Sequence, residues 1–173
     1  IGLSFLMIAV YYYLDIVMLG YMNSDYEVGI YNAAVKIFLL GNILYGLILK
    51  SFFPSLSSSV NSGKEVINAT FKKYFLSMLP AGLITAFVMY ALSSLIIDVL
   101  YGSSYNSSVS ILKILSMNSL IVCINMIFGN PLLAWGKQRE YLFVVATGAL
   151  ANIALNILFI PRYSYIGAGI ATL

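Results

Sequence analysis

Histidine is missing from the 173-residue sequence, and charged residues are scarce, with nine Lys or Arg and six Asp or Glu. Without histidine the chain has no His-based acid–base chemistry, no His metal site and no Ser-His or Cys-His catalytic pair. Charged residues make up 9% of the sequence, against about a quarter in soluble domains. The net charge of +3 is scattered along the chain and does not indicate a nucleic-acid partner.

Cysteine is almost absent as well. The single Cys123 lies in an apolar segment, has no partner for a disulfide within this sequence, and is expected to be a small core residue. The sequence contains neither a G-x-x-x-x-G-K-[ST] phosphate-binding loop nor an H-E-x-x-H motif. We therefore expect no cofactor, no metal site and no enzymatic activity.

Long uncharged runs are what the sequence does contain. Hydrophobic residues are 61% of the chain, and no charge occurs in residues 74–97, 114–136 or 141–161. Each run reaches the roughly 20 residues that a helix needs to cross a bilayer. The runs are continuous rather than alternating, which excludes a membrane β-barrel. The sequence therefore predicts an all-α polytopic membrane protein, with the lipid bilayer as a partner.

Polar segments divide the chain into one bundle of helices. The predicted spans are about residues 3–22, 28–58, 74–100, 109–135 and 141–160, followed by the start of a sixth at 166–173. Residues 66–73 are predicted to form a short amphipathic lead-in to the third span, and residues 161–165 a turn. The first and last residues lie within apolar sequence, so we expect an internal piece of a longer, transporter-sized protein.

Loop charges predict the orientation, because Lys and Arg are retained on the cytoplasmic side. Five basic residues follow the second and fourth spans, namely Lys64, Lys72, Lys73, Lys137 and Arg139. Only Arg162 lies in the alternate set of loops. We therefore expect the Ile1 end to be cytoplasmic.

Four charges fall within predicted spans: Asp15, Lys36, Lys50 and Lys113. A charge at the centre of a span costs about 2.5–3.5 kcal/mol on insertion scales, so such residues usually face protein or a water-filled cavity. Lys50 and Lys113 are near enough to an interface to extend into it, and Asp15 and Lys36 could instead form a structural ion pair.

Helical spacing groups some of these residues. At 100° per residue, Asn32, Lys36 and Lys50 share one stripe of the second span, which suits a cavity that receives an anion. In the first span, Tyr11, Tyr12 and Asp15 lie close together, and the tyrosine hydroxyls need partners from a hydrated cavity or from neighbouring helices. These six residues, together with Lys113, are the candidate substrate-cavity residues. Asn118 with Asn125, and Gly148 with Asn152 and Asn156, are expected to join helices.

Three motifs, in order, resemble those of bacterial polysaccharide flippases. The first comprises Asp15–Gly20 with Val28–Ala34, the second Leu100–Gly102, Tyr105 and Ile111–Leu115, and the third Asn152–Asn156, Ile160–Tyr163 and Gly167–Thr172. The sequence is similar to O-antigen and capsular polysaccharide exporters of the Wzx type, in the superfamily that includes MATE drug exporters and the lipid II flippase. Ser164 stands where that family usually has Gly, and the turn is expected to tolerate it.

The resemblance implies a two-lobed, MATE-like helical bundle, of which this chain would be part of the second lobe. It implies a flippase for undecaprenyl-pyrophosphate-linked oligosaccharides in the bacterial cytoplasmic membrane, with the lysines lining a cationic passage. Either protons or sodium ions would be the coupling ion, and Asp15 could balance charge or titrate. The alternatives are a drug or cation antiporter, a lipid II-type flippase and, more remotely, a membrane-embedded polymerase or transferase of the same pathway.

Overall fold

The described chain is a bundle of α-helices without β-strands. A computed structural model describes the backbone of residues 2–172 and the side chains of residues 7, 9 and 13–172. The helices are α1 (Gly2–Met22), α2 (Asp25–Ser59), α3 (Lys64–Ala91), α4 (Ser93–Tyr101), α5 (Ser108–Ala134) and α6 (Gln138–Ala171), with 3₁₀ turns at Val60–Ser62 and Ser103–Tyr105. This architecture confirms the predicted all-α class.

Four of the described helical segments are long and apolar enough to cross a membrane. They are Asp25–Ser62, Lys64–Ala91, Ser108–Ala134 and Gln138–Ala171. In α1 the residues with described side chains from Tyr13 to Met22 form a shorter apolar segment. The protein is therefore a multi-pass membrane protein.

Local signals in the sequence set the helix ends. The amide of Ser24 donates to the Oε2 atom of Glu27 (3.3 Å) at the start of α2, which satisfies a backbone donor that the helix itself leaves free. At the end of α5, Gly136 has a φ of 75°, and the amides of Gly136 and Lys137 donate to the carbonyls of Leu133 and Leu132. This bonding pattern is the Schellman motif, in which a left-handed residue stops a helix.

The third span departs from its predicted limits. The predicted lead-in at residues 66–73 is continuous with α3, which begins at Lys64, because no Gly or Pro interrupts this stretch. The helix then breaks at Leu92, whose φ is −100° and ψ is 10°. Ser93 follows the break, and its hydroxyl donates to the carbonyl of Tyr90 (3.0 Å). Such side-chain bonds compete with continued helix.

Helix α6 is a helical hairpin with a one-residue corner. Ser164 has non-helical angles, φ 51° and ψ −134°, whereas the sequence predicted a turn over residues 161–165. The part after Ser164 runs back beside the part before it, and the Asn152 amide donates to the carbonyl of Ala171 (3.2 Å). A Cβ on Gly167 would overlap the carbonyl oxygen of Phe159, so the two arms touch through their backbones.

Two groups of helices make up the bundle. Helices α2, α3 and α5 pack pairwise, while α1 packs mainly on α6, and α6 joins the first group chiefly through α5. We call the end that holds Ser24, Ser104 and Ser164 the Ser24 end, and the opposite end, with Gly63 and Gly136, the Gly63 end.

Candidate functional site

Asp15 is a buried carboxylate at which three segments of the chain meet. Its side chain is 2% exposed. The Oδ2 atom accepts hydrogen bonds from the Tyr31 hydroxyl and from Oγ1 of Thr172, the latter at 3.1 Å, and Oδ1 accepts from the amide of Ile16 (2.9 Å). Asp15 belongs to α1, Tyr31 to α2 and Thr172 to the end of α6. All three donors are uncharged.

The structure does not pair Asp15 with Lys36. Lys36 is exposed on α2, whereas Tyr31, which contacts Asp15, is buried. Five residues separate Tyr31 from Lys36, so their side chains point about 140° apart around the helix. The alternative of a structural ion pair between Asp15 and Lys36 is therefore wrong, because neutral donors occupy the carboxylate.

Lys36 and Lys50 lie on the face of α2 that points away from its neighbours. The packed face contains Gly41, which approaches the side chains of Thr85 and Met89 on α3. It also contains Tyr45, whose hydroxyl bonds to Ser119 of α5 at 2.7 Å. At 100° per residue, Lys36 points about 140° from Gly41 and about 180° from Tyr45. Lys36 is thus directed away from both α3 and α5.

This open face of α2 is mixed in character. Both lysines are exposed and Asn32 is half-buried. The exposed side chains between the lysines are apolar, namely Leu40, Ile43, Leu44 and Leu47. The face therefore carries two separate cations rather than a continuous polar stripe.

Lys113 occupies a different surface. Its ammonium group lies 5.7 Å from the centre of the Tyr90 ring, at the seam between α5 and α3. Because α2 packs against both of these helices, their open seam faces away from α2. The structure therefore brings Lys36 and Lys50 onto one face and does not bring Lys113 to them. Tyr11 and Tyr12 lie outside the described side chains.

A second polar cluster lies at the Ser24 end. The Ser164 hydroxyl donates to Oε1 of Glu27 (2.6 Å) and accepts from the side-chain amide of Asn23 (3.0 Å). A positive φ is unfavourable for residues other than glycine. The two hydrogen bonds of the Ser164 hydroxyl offset this cost at the corner. This is how the hairpin accommodates Ser164.

The site includes residues that the sequence did not single out. The sequence pattern does not predict that Tyr31 and Thr172 lie at this site, because 141 residues separate them and no local pattern joins them. Both residues belong to the motifs that carry the family resemblance, and this membership is the feature of the sequence that could have indicated them. Asn152 and Asn156 are buried as expected for residues that join helices, and the Asn156 amide donates to Oδ1 of Asn152 (3.1 Å). Asn118 is fully buried, whereas Asn125 is exposed.

Comparisons with known proteins agree with this architecture. The profile of a family described as "Polysaccharide biosynthesis protein" matches residues 2–110. A probable flippase, AglR, of Haloferax volcanii is 33% identical over 94% of this chain and 35% of its own length. An uncharacterized membrane protein of Methanocaldococcus jannaschii is 31% identical over 69% of this chain and 24% of its own length. A putative O-antigen transporter of Escherichia coli K12 is 24% identical over 91% of this chain and 38% of its own length.

The chain spans only about a quarter to two fifths of the length of these curated relatives. No solved structure matches it. The profile covers more than half of the sequence, and the probable flippase of Haloferax volcanii aligns with nearly all of it. The chain therefore belongs to the family of polysaccharide biosynthesis proteins that includes flippases and O-antigen transporters.

Proposed function

We propose that the chain forms part of a flippase that moves undecaprenyl-pyrophosphate-linked oligosaccharides from the inner to the outer leaflet of a bacterial cytoplasmic membrane. The open face of α2, with Asn32, Lys36 and Lys50, would line the passage. The observation that carries this proposal is the exposed ammonium group of Lys36 within an apolar, membrane-length helix.

The depth of Lys36 makes contact with lipid unfavourable. It lies eight residues after Val28, where the predicted second span begins, which is about 12 Å along the axis into a hydrocarbon layer of about 30 Å. A lysine at that depth costs about 2.5–3.5 kcal/mol on insertion scales unless water or an anion compensates it. A pyrophosphate would supply two acceptor groups for such a cation.

The alternatives fit the open face less well. A passage for cationic drugs would favour carboxylates, whereas the charges of the open face within the predicted second span are Lys36 and Lys50. Asp25 lies on the same face but at the first residue of α2. A lipid II-type flippase would also need cations for a pyrophosphate, and the relative from Escherichia coli K12 is named as a putative O-antigen transporter. A polymerase or transferase of the pathway remains the more distant alternative, since relatives are named flippase and transporter.

Asp15 is the proposed coupling site. Its buried carboxylate is bonded to neutral groups from α2 and α6, so a proton or a sodium ion could compensate its charge. A conformational change that separated these helices would alter the binding of that ion, which is the requirement for coupling it to transport.

Replacement of Lys36 tests the passage. In a strain that depends on the full-length protein for surface polysaccharide, Lys36→Gln should lower the amount of polysaccharide by roughly tenfold or more, the size expected for losing a charge-assisted contact. Lys36→Arg keeps the charge at the same position and should retain most of the product. Protein abundance in the membrane is measured in parallel.

Normal polysaccharide with Lys36→Gln at an unchanged protein level would refute the proposed passage. A cysteine-labelling experiment tests independently whether water reaches position 36. It uses a Cys123→Ala background, so that Cys123, which is buried, cannot contribute to the labelling. Lys36→Cys should react with a water-soluble maleimide, and Leu150→Cys, at a position that is 66% exposed and at a similar depth in the predicted fifth span, should react slowly.

A further inference from the structure

The open seam between α3 and α5 contains a groove with a cation at one end. The groove has a volume of about 300 Å³ and is lined by Leu83, Ala86, Phe87, Tyr90, Ser116, Met117 and Leu120. We infer that this groove binds one hydrocarbon chain of an anionic phospholipid whose phosphate contacts Lys113. The groove and its cation are independent of the transported substrate, while the choice of a phospholipid over the carrier lipid rests on the passage proposed along α2.

The groove is apolar over its whole length. On the α3 side, Leu83 and Phe87 are 52% and 71% exposed. On the α5 side, the hydroxyl of Ser116 donates to the carbonyl of Lys113 in its own helix (2.6 Å). This hydroxyl is therefore already satisfied and does not make the groove polar. On α3 the groove extends from Leu83 to Tyr90, about 10 Å along the helix axis. Such a surface favours a hydrocarbon chain rather than a sugar.

The position of Lys113 selects the headgroup. Lys113 lies three and four residues before Ser116 and Met117, so it is on the same face of α5 and one turn nearer the Ser24 end. Its contact with the Tyr90 ring keeps the ammonium group beside the groove. In the described part of the chain this ammonium group has no carboxylate partner. A lipid phosphate would complement it.

The location favours a bilayer phospholipid over the isoprenoid carrier of the proposed substrate. The open face of α2 points away from α3 and α5, so the groove and the proposed passage lie on opposite sides of this group of helices. A carrier lipid with its pyrophosphate at Lys36 could not also place its phosphate at Lys113.

Native mass spectrometry of the full-length protein tests the inference. The probes are phosphatidylglycerol, which is anionic, phosphatidylcholine, which has no net charge, and undecaprenyl phosphate. Lys113→Gln should reduce retention of phosphatidylglycerol roughly tenfold, the loss expected for one charge-assisted hydrogen bond, without changing retention of phosphatidylcholine. Lys113→Arg should retain the anionic lipid, and Leu120→Trp should reduce its binding by filling the groove while keeping the charge.

Lys72→Gln is the matched control, because Lys72 is an exposed lysine on α3 about 27 Å along the helix from Tyr90. It should leave retention of phosphatidylglycerol unchanged. Equal retention by Lys113→Gln and the unsubstituted protein would overturn the inference. So would a preference for undecaprenyl phosphate that Lys113→Gln abolishes, since the carrier would then be the occupant.

Discussion

The Asp15 carboxylate accepts hydrogen bonds from uncharged donors, and this determines the expected effect of replacing Asp15 on stability and function. An amide in place of the carboxylate removes one acceptor oxygen but leaves no unpaired cation behind, since no lysine among the described residues contacts Asp15. A hydrogen bond of this kind contributes about 1–3 kcal/mol when one partner is charged. Asp15→Asn should therefore yield a folded protein in which any function that needs the negative charge is lost.

We expect Asp15→Asn to abolish the dependence of transport on a proton or sodium gradient, measured with the full-length protein in vesicles with an imposed gradient. Tyr31→Phe removes one donor and keeps the carboxylate, so coupling should persist with an altered dependence on ion concentration. Transport by Asp15→Asn with the gradient dependence of the unsubstituted protein would show that Asp15 has only a structural role.

The sequence identified Asp15 but not its surroundings. A charge in an apolar run is visible without a fold, because its burial is unfavourable wherever the helix lies. Its partners Tyr31 and Thr172 follow only from the packing of three segments. The same limit applies to Lys113, whose helical position was predictable but whose direction depends on the arrangement of α2, α3 and α5.

At the scale of the element, the α6 hairpin depends on one close approach. Gly167 touches the backbone of Phe159 and Ile160 in the opposite arm. A backbone contact cannot be relieved by rotating a side chain, so an added methyl group must separate the arms. Overpacking of this kind costs about 1–3 kcal/mol.

Gly167→Ala should therefore lower the apparent Tm of the purified protein in detergent. Gly148→Ala, in the same helix, is the matched control, because a Cβ there meets nothing within 4 Å and alanine favours helix. The control should have an equal or higher Tm. If Gly167→Ala proved as stable as Gly148→Ala, the tight hairpin would be refuted.

Helix positions were more predictable than helix ends. The uncharged runs and the glycine turns at Gly63 and Gly136 define most of the bundle before any packing is known. The break at Leu92 was not predicted, since no Gly or Pro marks it. It depends on backbone angles and on a serine bond that are visible only in the folded chain.

At the scale of the whole molecule, the distribution of charge predicts which end faces the cytoplasm. The Gly63 end carries Lys64, Lys137 and Arg139, and basic residues are retained on the cytoplasmic side. The proposed orientation therefore places the Ser24 end, with the Ser103–Tyr105 turn, outside the cell.

Labelling of intact cells tests this orientation in a Cys123→Ala background. Ser104→Cys and Lys137→Cys are both at exposed positions. A membrane-impermeant maleimide should label the first in intact cells and the second only after the membrane is permeabilised. The reverse pattern would contradict the orientation, and labelling of both cysteines after permeabilisation serves as the control for reactivity.

Side-chain hydrogen bonds near the Ser24 end join the two groups of helices. Among the described side chains, the hydrogen bonds that join α1 and α6 to α2 are those of Asp15 and Thr172 with Tyr31, and of Ser164 with Glu27. All of them lie toward the same end of the bundle. At the Gly63 end the α1–α6 pair is joined to the other group by residues 135–137, which link α5 to α6, and Gly129 of α5 lies close to Tyr141 of α6. A motion that separated the two groups would therefore break side-chain hydrogen bonds at the Ser24 end, while the covalent link would limit their separation at the Gly63 end.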